Sequence, residues 1–193
     1  MQPESLSFIF IQAFLVNNFV LAQFLGLCPF VGVSQKIQTA VPMGFAVIVV
    51  MFVASVCAYA INTVLVYFGI EYLRLIAYIA VIASAVQLVE MTIKKFSPTL
   101  FRTLGIYLPL ITTNCAILGM ALFATDHNYS FSQSIIYSLG AGFGFMLAVV
   151  LMAGLREKLQ LANLPDVATS AAISFMIAGM LSLVFMGFAG MGA

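Results

Sequence analysis

Thirteen charged side chains punctuate a chain of 193 residues, and the intervals between them limit what it can fold into. Residues 5–35, 37–70, 75–89, 103–125, 127–155 and 167–193 contain no Asp, Glu, Lys or Arg. A helix needs about 20 residues to cross ~30 Å of hydrocarbon. Five of the six intervals reach that length unaided, and the third reaches it once its charged ends are included. With 7% charged and 64% hydrophobic residues, against roughly 25% charged in a soluble domain, the chain is an integral membrane protein. Unpaired backbone groups are not tolerated in lipid, and the alternating pattern of a barrel strand is absent, so the segments are helices. We assign an all-α fold of six transmembrane helices over about 6–33, 38–68, 73–94, 102–124, 131–155 and 168–190.

The first segment does not read as a cleaved signal peptide. No Lys or Arg precedes it, its apolar stretch far exceeds an h-region, and no small-x-small cleavage site follows. Basic residues orient the bundle. With the N-terminus on side one, that side holds only Arg74, in the 69–74 loop. The other side holds Lys36, Lys94, Lys95, Arg102, Arg156 and Lys158. Side two is therefore cytoplasmic and both termini face outward. The net charge of +1 gives no reason to expect nucleic-acid binding.

Three helices per half mean that any internal duplication is inverted across the membrane, with 1–96 as one repeat and 97–193 as the other. Cys28 opens Cys-Pro-Phe-Val-Gly and Cys115 opens Cys-Ala-Ile-Leu-Gly, at an offset of 115 − 28 = 87 residues. Gly-bearing stretches, "VPMGFAVIVV" and "SLGAGFGFMLAVV", follow in both halves. Inverted repeats bring paired elements to the bilayer midplane, commonly on broken helices. Gly26, Pro29 and Gly32 surround Cys28, and Pro109 precedes Cys115 by six residues. The first segment is also too long for one span, which places a bend or half-helix near Leu25 to Cys28. Cys28 and Cys115 are expected to approach from opposite sides, near the pseudo-twofold axis.

A single Cys in a membrane helix is ordinarily a small packing residue, and that reading suits Cys57 in "VASVCAYAI". For Cys28 and Cys115 three readings compete: a disulfide, a mononuclear soft-metal site, and an iron–sulfur cluster. The disulfide would add little to helix packing, and two ligands are too few for a mononuclear site. A 2Fe-2S cluster takes four thiolates, so that reading requires a second subunit with two more. Thr112, Thr113 and Asn114 either glue helices together or hydrogen-bond the sulfurs. The one His, His127, lies in an outer loop, which excludes bis-His haem, and no phosphate-cradling glycine motif is present. Asn17, Asn18 and Gln23, one to three turns before Cys28, are candidates to line a hydrated path. Gln12, Asn62, Ser84 and Gln87 read as helix–helix contacts. Glu90 reads as a structural carboxylate, four residues from Lys94. A small inverted-repeat transporter without a redox centre, and a purely structural anchor for redox subunits, are the competing functional classes.

The runs "LGIYLPLITTNCAILG" from Leu104, "FLGLCPFVGVS" from Phe24 and "AGLREKL" around Arg156 resemble the RnfA/NqrE family, with six segments in matching places along essentially the whole chain. The resemblance implies a bacterial inner-membrane protein, multi-pass, with periplasmic termini. It implies a homologous partner of opposite topology, RnfE-like (NqrD in the sister complex). Each of the two would give two cysteines to a 2Fe-2S cluster between them, here Cys28 and Cys115. It further implies neighbouring B, C, D and G subunits carrying flavins and iron–sulfur clusters. The complex would be a translocase coupling electron transfer between ferredoxin and NADH to Na⁺ or H⁺ movement, in which this chain is not catalytic alone.

Overall fold

The structure is a computed structural model, which describes residues 5–96, 108–161 and 171–188. Every regular element among them is helical: α1 (Leu6–Ile11), which runs on into a π-helical turn (Gln12–Val16), α2 (Leu27–Val33), α3 (Ile37–Phe68), a 3₁₀ turn (Glu71–Leu73), α4 (Arg74–Phe96), α5 (Leu108–Thr112), α6 (Cys115–Asp126), α7 (Phe131–Leu161) and α8 (Ala171–Met186). Of these, α3, α4 and α7 are long and apolar enough to cross a membrane. The other apolar helices are shorter: Leu6–Val16, Leu110–Asp126 and Ala172–Met186. The expected segment starts at 102–107 and 168–170, and the last residues of the sixth at 189–190, lie outside the described residues.

The first segment breaks earlier and over a longer stretch than the glycines and prolines suggested. The π-turn ends where the Asn17 N–H donates to the Gln12 carbonyl at 2.7 Å. Asn18, 1% exposed, then accepts the Val20 and Leu21 N–H groups on its Oδ1 at 3.1 and 3.3 Å. Its Nδ2 donates to the Gly144 carbonyl of α7 at 2.8 Å. A side-chain oxygen thus replaces the carbonyls a continuing helix would supply, a competition typical of Asn. Phe24 (φ 56°) and Gly26 (φ 78°) turn the chain through the left-handed region before α2 begins. Pro29 does not break α2, since it sits in the first turn, where its missing N–H has no intrahelical role. In the second half, the break lies at Thr113–Asn114, after Pro109, which is inside α5.

The core is the crossing of α3 with α7, the most extensive pairing in the bundle. Met43, Val47, Met51 and Ala54 from α3 and Phe145, Ala148, Val149 and Met152 from α7 are fully buried. Glycine makes the crossing close: a Cβ on Gly142 would lie 3.1 Å from the Ile48 backbone. To either side of it, Gly140 and Gly144 receive the first segment. A Cβ there would meet the Phe10 carbonyl at 2.9 Å and the Phe14 carbonyl at 2.8 Å. This Gly-x-x-x-Gly spacing lets backbones touch, the usual solution where lipid offers no hydrophobic drive to association. α4 packs beside α3 and contacts α5 and α6. Its outer face, and that of α8, remain apolar and exposed, with Ile76 at 65%, Leu88 at 63% and Leu183 at 70%, as lipid- or protein-facing surfaces require.

Candidate functional site at the two helix breaks

Both cysteines stand at helix starts created by the breaks. Cys28 is the second residue of α2, a helix that buries Pro29, Phe30 and Val33 while Cys28 stays exposed. Cys115 is the first residue of α6 and is also exposed. Asn114 makes it so: it is 5% exposed, takes an extended conformation, and caps α6 by accepting the Ala116 N–H on Oδ1 at 3.0 Å. That bond satisfies one of the N–H groups a helix start leaves without a partner.

The two breaks meet. The Gly26 N–H donates to Cys115 Sγ at 2.9 Å, two residues before Cys28. Only glycine fits this junction. A Cβ on Gly26 would lie 3.0 Å from Asn114 Oδ1, 3.0 Å from the Phe145 ring and 3.1 Å from Ala116 Cβ, and φ is positive besides. Cys115 Sγ therefore receives a backbone donor from the other half of the chain while lying at the positive end of its own 12-residue helix. Both features bring positive partial charge to the sulfur. The cysteines are free and unbridged. Among the described residues no group of three or more His, Cys, Asp or Glu could hold a metal. The two exposed thiols are soft donors of the kind that iron–sulfur centres use, and by number they could give at most two ligands.

Other elements fix this junction. Arg156 of α7 donates from Nη1 to the Val31 carbonyl at 2.8 Å and to Ser34 Oγ at 3.1 Å, and from Nη2 to Ser174 Oγ of α8. One guanidinium thereby ties the end of the Cys28 helix to α7 and α8. Beside Cys115, a groove of about 620 Å³ runs along α6 between Gln23, Leu25, Arg74 and Asp126.

The whole chain matches known proteins. Residues 6–192 match the family model described as Rnf-Nqr subunit, membrane protein. The chain belongs to the Rnf-Nqr family. A Syntrophotalea carbinolica relative, named as the A-type member of an ion-translocating oxidoreductase complex, is 53% identical over 189 residues, covering 97% of this chain and 98% of that protein. Relatives of the same name from Vibrio cholerae and Vibrio atlanticus are each 54% identical over 178 residues. Those alignments cover 92% of this chain and 92% and 93% of the two relatives.

Set against this Rnf-Nqr fold, the sequence-based site divides. Gly26 meets Cys115 and Asn114 and Cys28 follows it by two residues, whereas half-buried Thr112 and exposed Thr113 sit on the α5 side of the break. Cys57 is half-buried within α3 and Glu90 half-buried on α4. Of the candidate path residues, Asn18 is buried with both amide atoms bonded. Asn17, with Gln12, lines a separate groove against α8, and Gln23 lines the groove beside Cys115. Sequence reasoning took Gly26 only as a breaker and Arg156 only as a topology marker. Arg156 opens the charged triplet Arg156-Glu157-Lys158, and nothing in the sequence set it apart from its neighbours.

Proposed function

We propose that this chain is the RnfA-type component of an ion-translocating oxidoreductase complex in a bacterial inner membrane. Cys28 and Cys115 are two of the four thiolate ligands to a 2Fe-2S cluster. An RnfE-like homologous protein of opposite topology supplies the other two. The names of near-full-length relatives support the complex. The observation that carries the cluster is the junction of the breaks: two exposed thiols on separate helix starts, one of them bonded by the Gly26 N–H.

Such a cluster, when bound, supplies a one-electron carrier part-way through an insulating layer. The chain's own residues do the rest. Gly26 N–H and the α6 terminus offset negative charge on Cys115 Sγ, which is costly in low dielectric without donors. Asn114 fixes where α6 starts and hence where that sulfur points. Buried Phe30 and Val33 anchor the opposite side of α2, so Cys28 is presented outward.

On this reading the chain spans the membrane six times as two inverted halves. In each half a broken segment is followed by a long helix, of 32 residues in α3 and 31 in α7, and then a shorter one. Both termini are periplasmic, and electron flow through the neighbouring B, C, D and G subunits is coupled to Na⁺ or H⁺.

The test uses the purified complex. Iron, acid-labile sulfide and the EPR spectrum of the reduced sample are measured for wild type, Cys28→Ser and Cys115→Ser. The expected result is loss of about two irons per complex, with disappearance of one EPR component in each variant. Unchanged iron and spectrum in both would overturn the proposal in favour of a transporter or an anchor.

A further inference from the structure

A second cavity lies away from the cysteines, between α3, α6 and the start of α7, with a volume of about 280 Å³. Besides two tyrosines, six polar residues contribute to its wall: Ser55, Asn62, Thr63, Thr125, Asn128 and Ser134. Among the described residues, no Asp, Glu, Lys, Arg or His lines it.

Three of its hydroxyls have carbonyl partners in the protein, and Ser134 Oγ lies 3.1 Å from Ser55 Oγ. Thr63 Oγ1 donates to the Tyr59 carbonyl at 3.0 Å, Thr125 Oγ1 to the Ala121 carbonyl at 2.9 Å, and Ser55 Oγ to the Ser134 carbonyl at 3.2 Å. Asn62 Oδ1 is buried with no donor at all, which costs about 1–3 kcal/mol if it stays so. The wall thus carries neutral polar groups only, among them one buried amide oxygen, Asn62 Oδ1, that lacks a donor among the described residues. We infer that this pocket binds a monovalent alkali cation, partly hydrated, with Asn62 Oδ1 and the Ser55 hydroxyl among its ligands.

The alternatives fit less well. A bound anion in a low-dielectric layer calls for a positive charge beside it, and no Lys, Arg or His among the described residues lines the wall. A divalent ion needs carboxylates to offset its dehydration, and none lines the wall. A proton needs a group that titrates near neutrality, and none is present. Neutral carbonyl and hydroxyl oxygens are how membrane proteins replace the hydration shell of Na⁺ or K⁺. Ser55 lies 13 residues from the end of α3 at Phe68, about 20 Å along the helix, so the polar wall reaches far into the apolar layer. As a station for a translocated ion the site rests on the function proposed above; as a binding site it stands on the geometry alone.

Equilibrium binding of radiolabelled Na⁺ to the purified complex, with choline chloride holding ionic strength constant, tests it. Wild type is expected to show saturable binding. Asn62→Leu and Ser55→Ala should each weaken one site per complex at least tenfold, while Asn62→Asp keeps or tightens it. Should Asn62→Leu fail to assemble, Ser55→Ala, a loss of one oxygen, decides the matter. Affinity unchanged in both variants, or no saturable binding in wild type, overturns the inference and leaves the pocket to water. EPR of the same samples reports the cluster separately: Na⁺ binding without the signal removes the function proposed above and leaves this site standing.

Discussion

Gly26 concentrates three demands on one residue: a left-handed backbone, a wall of Asn114, Phe145 and Ala116 within about 3 Å of any Cβ, and an N–H aimed at Cys115 Sγ. Gly26→Ala is expected to cost about 1–2 kcal/mol from backbone conformation alone. It should also shift the sulfur and lower iron retention. The melting temperature and iron content of the purified complex check both. Asn114→Ala removes the α6 cap and should cost about 1 kcal/mol, with Asn114→Ser retaining most of the stability because its neutral hydroxyl can still accept from the first turn of α6. The position of both cysteines at helix breaks was legible in the sequence because Gly and Pro flank Cys28 and Pro109 precedes Cys115. Asn18 was misread as part of a wet path, because a polar residue in an apolar run looks the same from sequence whether it faces water or is enclosed. Only the fold supplies the Gly144 carbonyl that encloses it.

Among elements, the three long helices α3, α4 and α7 follow the spacing of charges closely, because length and apolarity decide them. The broken ones do not. Sequence placed the first break near Leu25 to Cys28, whereas it spans 17–26, because Asn18 ends the helix a full two turns before the glycine does. Arg156 shows the same blindness in another form: counted as one of six cytoplasmic charges, it is a clamp holding α2 to α7 and α8. Lysine, a point charge without a planar fork, cannot satisfy those partners together. Arg156→Lys should destabilise the assembly by about 2 kcal/mol and loosen the Cys28 helix. That loosening is read as faster alkylation of Cys28 in preparations stripped of iron. Gly144→Ala, which puts a methyl 2.8 Å from the Phe14 carbonyl, should cost about 1–3 kcal/mol by overpacking, read as a lower melting temperature.

For the molecule as a whole, the charge asymmetry predicts that reporter fusions at residue 1 and at residue 193 are both active only when exported. A cytoplasmic C-terminus would remove the inverted-repeat reading, whose sequence signal was one loose Cys-x-x-x-Gly pattern and a count of helices. The two thiols bear on how such a molecule is made. If they are half of a shared ligand set, as proposed, the remainder has to come from a neighbouring protein. On the proposed function, maturation is then a joint event. Newly made chain lacking its neighbour should be iron-free, with Cys28 and Cys115 both open to a membrane-permeant maleimide. In the finished complex the same two positions should resist the reagent, so that metal arrives together with the companion protein and never ahead of it.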